Sequence, residues 1–194
     1  MSGLFDADDN ATPLAPEERD GLIPPHVTLR SELNELEHLN ILEADQWAFA
    51  RKRNVLSEPF LRGLHRRMFN LVWRWAGQYR ATERNLGVPP YRIVPDMMQI
   101  IDDVRYWIEH ESFPADEIAV RYHHRLVVVH PFANGNGQWS RMAADLLAVQ
   151  LGQPRFTWGS SNLQPVGELR RDYVDALQAA DHHDIGSLVA FARS

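Results

Sequence analysis

The chain predicts an all-α protein, and three observations carry that reading. Apolar residues recur at three- and four-residue spacing through most of its 194 residues, as at Ile118, Tyr122, Leu126 and Val129, which is the period of one helix face. Proline and glycine punctuate these periodic segments where helices start and stop. Only Tyr79 to Val94 mixes β-prone residues with a Gly/Pro turn.

Taken in order, the first helix is expected over 31–52. Ser57 and Pro59 open a second over 57–76, which Gly77 closes behind Trp73 and Trp75. Pro95-Asp96 and Pro114-Ala115-Asp116 open helices over 96–111 and 115–129. The latter stops at or before His130, because Pro131 disfavours an α conformation there. Met142, Leu146 and Val149 mark one face of a helix over 136–151 that ends near Gly152. Helices over 165–180 and 184–192 follow, with His182-His183 as the turn between them. Gly87, Pro89 and Pro90 predict a short hairpin within Tyr79–Val94, and the proline pair rules out a long ladder. Residues 1–27, dotted with Pro13, Pro16, Pro24 and Pro25, are expected to lie extended over the domain or partly disordered. Residues 28–194 then form a single domain, a size that supports a sizeable core.

Composition narrows the function. A net charge of −6 with no basic stripe argues against direct nucleic-acid binding. Zero cysteines exclude disulfides, thiol chemistry and a Cys-based zinc site, and agree with a cytoplasmic setting. No run approaches the ~18 apolar residues of a membrane span, and the acidic N-terminus has no signal-peptide pattern. His123 and His124 lack the carboxylate partner of a helical metal motif and are read as helix-packing or surface residues.

The most informative run is His130-Pro131-Phe132-Ala133-Asn134-Gly135-Asn136-Gly137-Gln138-Trp139-Ser140-Arg141. A histidine ends one helix, a glycine loop follows, and another helix starts at once. Gly135 and Gly137 permit positive φ. The new helix N-terminus offers unpaired N–H groups and the positive dipole end to an anion. Arg141, one turn inside, can reach back over that anion. Histidine accepts a proton near neutral pH. A base, an anion cradle and a guanidinium therefore share one loop, as phosphoryl-group chemistry requires. Trp139 borders the loop and is expected to be buried.

This run resembles the Fic family signature H-P-F-x-[D/E]-G-N-G-R-x-x-R, and the chain is most similar to the small bacterial subgroup called mobile mystery protein B. The resemblance implies a Fic-like helical bundle with a β-hairpin flap. It also implies transfer of AMP from ATP, with Mg²⁺, to a Ser, Thr or Tyr hydroxyl of a protein, self-modification included. His130 would be the general base and Phe132 the loop's anchor in the core. Asn136 and the Gly135–Gly137 backbone would hold phosphates, with Arg141 on the terminal one. The flap residues Asn85, Leu86, Gly87 and Val88 would bind the target backbone by strand addition, an edge that suits an extended target. Relatives of this subgroup stand beside a small helix-turn-helix protein, which makes such a protein an expected partner.

Two positions depart from the signature. Asn134 replaces the acidic residue that helps hold Mg²⁺, and an amide oxygen brings no charge. Gln138 replaces the first arginine and offers neither charge nor fork. Each lost charge-assisted contact is worth roughly 1.5–3 kcal/mol, about ten- to a hundred-fold in rate. Reduced transfer is the expectation; a degenerate nucleotide-binding module or another phosphorylated donor is the alternative. Upstream, Ser31-Glu32-Leu33-Asn34-Glu35-Leu36 resembles the family's inhibitory helix pattern [S/T]-x-x-x-E-[G/N], in which Glu35 would pair with Arg141 and block the nucleotide. The plain reading of the same residues is a helix start with Ser31 as N-cap and Glu35 exposed.

Overall fold

The computed structural model describes residues 21–160 and 166–194. It holds α1 (Arg30–Phe49), α2 (Glu58–Phe69), α3 (Ile93–Glu109), α4 (Ala115–Val129), α5 (Asn136–Gln150), α6 (Val166–Asp181) and α7 (Ile185–Arg193). The fold is an all-α bundle. The expectations for residues 1–20 and for Pro165 lie outside the described residues.

Helix α4 is the hub, packed against α3, α5 and α7, while α1 lies along α2 and α6 along α7. Tyr122 and Leu126 of α4, Met97 and Ile100 of α3, and Trp139 of α5 are all fully buried or nearly so. Each such side chain contributes roughly 1.5–3 kcal/mol through removal from water. The Tyr122 hydroxyl donates to the Val55 carbonyl at 3.0 Å, so its burial leaves no unpaired O–H. No helix among the described residues is long and apolar enough to cross a membrane.

Four local expectations need correction. Helix α2 ends at Phe69 and not at Gly77. Asn40 of α1 donates to the Arg67 carbonyl and accepts from the Leu71 N–H, which turns the chain out of the helix. The Trp-rich stretch beyond it is held by an antiparallel bridge between Leu22 and Trp73. Residues 21–27 therefore pack on the bundle, with Leu22 and Val27 buried in its core.

The predicted hairpin is absent: among the described residues Tyr79–Pro89 contains no strand. Its backbone is tied to the end of α4, with Arg80 N–H on the Pro131 carbonyl and Val88 N–H on the Val129 carbonyl. Contacts to α4 thus replace a ladder that Pro89 and Pro90 cannot continue. Helix α3 starts at Ile93, earlier than expected, after a 3-10 turn over Pro90–Arg92. Finally, α1 is capped from Leu29, and Glu32 accepts from the Thr28 and Leu29 N–H groups at 3.0 and 3.2 Å. The carboxylate does the capping, and Ser31 is already inside the helix.

Candidate active site

The loop between α4 and α5 borders a cavity of about 330 Å³ whose far wall is α6. His130, Gly137, Gln138 and Arg141 line it together, facing Arg170, Tyr173 and Val174. The loop's shape follows from contacts that can be traced residue by residue.

Helix α4 ends with His130 in the left-handed region, φ 50 and ψ 59. Pro131 predicts the stop but not this conformation, which costs a non-glycine residue about 1–3 kcal/mol. Phe132 is buried and stacks on His65 with ring centroids 3.6 Å apart. Trp139 meets Phe132 edge-on and donates its indole N–H to the Leu61 carbonyl at 2.9 Å, so it belongs to the core. Gly135 has φ 76, and a Cβ there would lie 2.4 Å from the Phe69 ring. Only glycine satisfies both the angle and the space.

His65 is a strut that sequence reasoning missed. The Gly77 N–H donates to its Nδ1 at 2.9 Å, so Nε2 carries the proton and donates to the Asn134 carbonyl at 3.0 Å. Burial holds this imidazole neutral, its pKa lowered to about 3, against the opposing effect of the Asn134 bond.

Asn136 departs from its expected role. Its side-chain oxygen accepts from the Phe132 N–H and its amide donates to the Phe132 carbonyl, both at 2.9 Å. The amide closes the loop on itself, so what Asn136 offers a phosphate is its backbone N–H at the start of α5. The N–H groups of Asn136, Gly137 and Gln138 stand in the first turn, where no intrahelical acceptor exists. Together they are unpaired donors that could hold an anion.

Asn134 is also redirected, because its side-chain oxygen accepts from the Gly135 N–H at 2.8 Å. No carboxylate among the described residues lines the cavity, and no cluster of metal-ligating side chains forms among them. Magnesium prefers anionic oxygen, so the side chains present do not fit a protein-held Mg²⁺, and the metal role expected of Asn134 is withdrawn. The charged side chains lining the cavity are the guanidiniums of Arg141 and Arg170.

Arg141 is seated against α6. Its guanidinium lies 5.6 Å from the centre of the Tyr173 ring and hydrogen-bonds the Tyr173 hydroxyl. That hydroxyl meets Nε2 of His123 at 2.9 Å. Burial first, then the charge of Arg141, keeps His123 neutral well below the usual histidine range. His123 is therefore a buried support behind the site. Burial also lowers the pKa of His130, helped by the guanidinium of Arg80 and opposed by the Val127 carbonyl. At neutral pH His130 is a free base facing the cavity.

The inhibitory contact expected of Glu35 is not formed. Leu33, Asn40, Ala44 and Ala48 are the buried stripe of α1, and Glu35 stands roughly 200° round the helix from Leu33. It is exposed and lies outside the cavity; Ser31 shares that outer side. Of the expected flap residues only Leu86 borders the cavity, and it is 67% exposed. Asn85 lies outside the cavity lining, Gly87 backs onto His130, and Val88 has already committed its N–H to Val129. Tyr173 and His65 were invisible in the sequence because their partners lie far away in the chain, and Arg170 belongs to no motif.

Residues 55–148 match the Fic/DOC family, and this stretch is a Fic/DOC family domain. Among curated proteins, the chain is 30% identical over 151 residues to the protein adenylyltransferase fic-1 of Caenorhabditis elegans, across 73% of this chain and 27% of that protein. It is 28% identical over 107 residues to the probable protein adenylyltransferase Fic of Escherichia coli K12, covering 52% of this chain and 53% of that one. The chain thus spans about a quarter of the length of the animal relatives. In three dimensions it resembles the Fic-1 structure from C. elegans with a TM-score of 0.67 at 24% identity, over 90% of this chain and 51% of that one. A Fic domain from Bartonella quintana matches with a TM-score of 0.69 at 14% identity, over 98% and 90% of the two chains.

Proposed function

We propose that this chain is a protein adenylyltransferase that moves AMP from ATP to a protein hydroxyl. The observation that carries the reading is one cavity that holds an imidazole kept as free base, a helix N-terminus and two guanidiniums. The relatives named as protein adenylyltransferases support AMP as the group moved and a protein as its acceptor. In the proposed reaction the target hydroxyl gives its proton to His130. Its oxygen attacks the α-phosphorus, the bond to the bridging oxygen breaks, and pyrophosphate leaves. The N–H groups opening α5, with Arg141 and Arg170, meet the charge that develops on the phosphates. His130 is expected to supply about a hundred-fold or more as general base.

The cytoplasm, where ATP is available, is the proposed setting. Self-modification is the first acceptor to test, and a small helix-turn-helix protein is the partner proposed from the family resemblance. Intact-mass spectrometry after incubation with ATP and Mg²⁺ tests the reaction, with His130→Ala as control. An added AMP that requires His130 supports the transferase. ATP binding without any added mass, on the chain or on a candidate target, favours a nucleotide-binding module instead, the reading that Asn134 and Gln138 support.

A further inference from the structure

Arg80 has no part in the reaction described above, yet its side chain makes four hydrogen bonds beside the site. It is only 6% exposed, and among the described residues it enters no ion pair. Its acceptors are all backbone carbonyls. Nε donates to His130 at 2.7 Å, Nη1 to Thr82 at 3.0 Å, and Nη2 to Val88 at 2.6 Å and Val129 at 3.4 Å. Its own N–H donates to the Pro131 carbonyl at 2.9 Å.

These carbonyls belong to two different structures. Val129, His130 and Pro131 are the end of α4 that presents the base. Thr82 and Val88 belong to the segment whose exposed Leu86 borders the cavity. Gly87 makes the junction possible, since a Cβ there would lie 2.6 Å from both Nη2 of Arg80 and Cβ of His130. A planar fork can serve several carbonyls in fixed directions, which a flexible ammonium cannot. Left-handed backbone at a non-glycine residue persists only where its surroundings over-determine it. At His130 the surroundings are Arg80 on its carbonyl and on that of the next residue.

We infer that Arg80 is a positioning residue, which locks the His130 peptide in its left-handed turn and clamps the Thr82–Val88 segment at the cavity mouth. A single group then sets both the aim of the base and the edge a target would meet. The effect on transfer rests on the adenylyltransferase reading; the clamp itself does not. The other charged or titratable groups around His130 are Arg141, Arg170 and the Tyr173 hydroxyl across the cavity, with Glu83 and Arg84 flanking Arg80.

The test compares the full chain with Arg80→Met and Arg80→Lys. Four quantities are read: the titration of the His130 ring and its backbone φ by NMR, ATP affinity by calorimetry, and transfer rate. In Arg80→Met the His130 titration should move up towards the ordinary histidine value and transfer should fall about a hundred-fold. ATP affinity should stay within about two-fold, because the anion cradle is built by other residues. Arg80→Lys keeps the charge and loses the fork, so the titration should stay near that of wild type while transfer falls at least about ten-fold. A folded Arg80→Met protein with an unchanged His130 titration and unchanged transfer overturns the inference. Should Arg80→Met fail to fold, Arg80→Lys decides, and full transfer in that variant overturns it. If the wild type transfers no AMP, the function is wrong, and the backbone φ of His130 still decides the clamp: a left-handed φ kept in a folded Arg80→Met or in Arg80→Lys overturns it.

Discussion

At the residue scale, the site is made of side chains that hold peptides as much as of side chains that face the cavity. Gly135 shows how narrow the tolerance is. Gly135→Ala should cost about 1–3 kcal/mol, because a Cβ would meet the Phe69 ring at 2.4 Å under a φ of 76. Thermal melts would show the loss, and nucleotide affinity should fall with it as the cradle shifts. The lowered pKa of His130 has a kinetic signature. The base form persists below the usual histidine range, so the acid limb of kcat/KM should lie below about 6.5. A limb at or above that value would show that His130 is more hydrated than the structure has it. The sequence made the cavity residues of the α4–α5 loop legible, because His130, the glycines and Arg141 fall in one run. Their supports were not, since His65 meets Asn134 from 69 residues away, Arg80 meets His130 from 50 and Tyr173 meets His123 from 50.

At the scale of elements, helix starts were easier to read than helix ends. Ser57 and Pro114 stand at the N-cap positions of α2 and α4, where the local sequence puts the starts, although neither side chain makes a capping bond. The end of α2 depends on Asn40, a residue of another helix, and no local signal records that contact. Strand-like composition in Tyr79–Val94 misled for a similar reason. A buried guanidinium and the end of α4 take the hydrogen bonds that a hairpin would have used. Helix α1 carries a further prediction. With its buried stripe turned to the bundle and Glu35 on the opposite side, Glu35→Gly should leave self-modification within about two-fold of wild type. Its cost should be the ~1 kcal/mol of a glycine in an exposed helix interior. A large rise in self-modification would show that α1 takes another position during the reaction.

For the whole molecule, acid should be more damaging than the modest net charge of −6 suggests. His65 titrates near 3 when folded and His123 well below its ordinary value, whereas both take up protons near 6.5 when unfolded. Their contribution to stability is complete above about 6.5 and is lost as pH falls towards 3. Asp145 works in the opposite sense. Burial, against the pull of Arg155 and the Trp158 N–H, raises its pKa to about 6, so the fold gains from its protonation as pH falls from about 6 to about 4. Two histidines against one carboxyl leave a net loss of stability as pH falls from about 6 to about 4. Denaturant midpoints across that range would measure it, and a flat profile would mean that His65 and His123 are open to water.

The loop's geometry also bears on how such a chain can change over generations. Gly135, Asn136, Phe132, His65 and Arg80 fix its path, and none of them depends on the identity of residues 134 and 138. Asn134 holds only its neighbour's N–H through its side chain, and Gln138 borders the cavity from the first turn of α5. Mutation at these two positions can therefore retune the electrostatics met by a phosphate while the frame stays intact. Selection can act on strength or choice of donor without first rebuilding the scaffold. The present pair, an amide at each position, reads as one setting of an adjustable device.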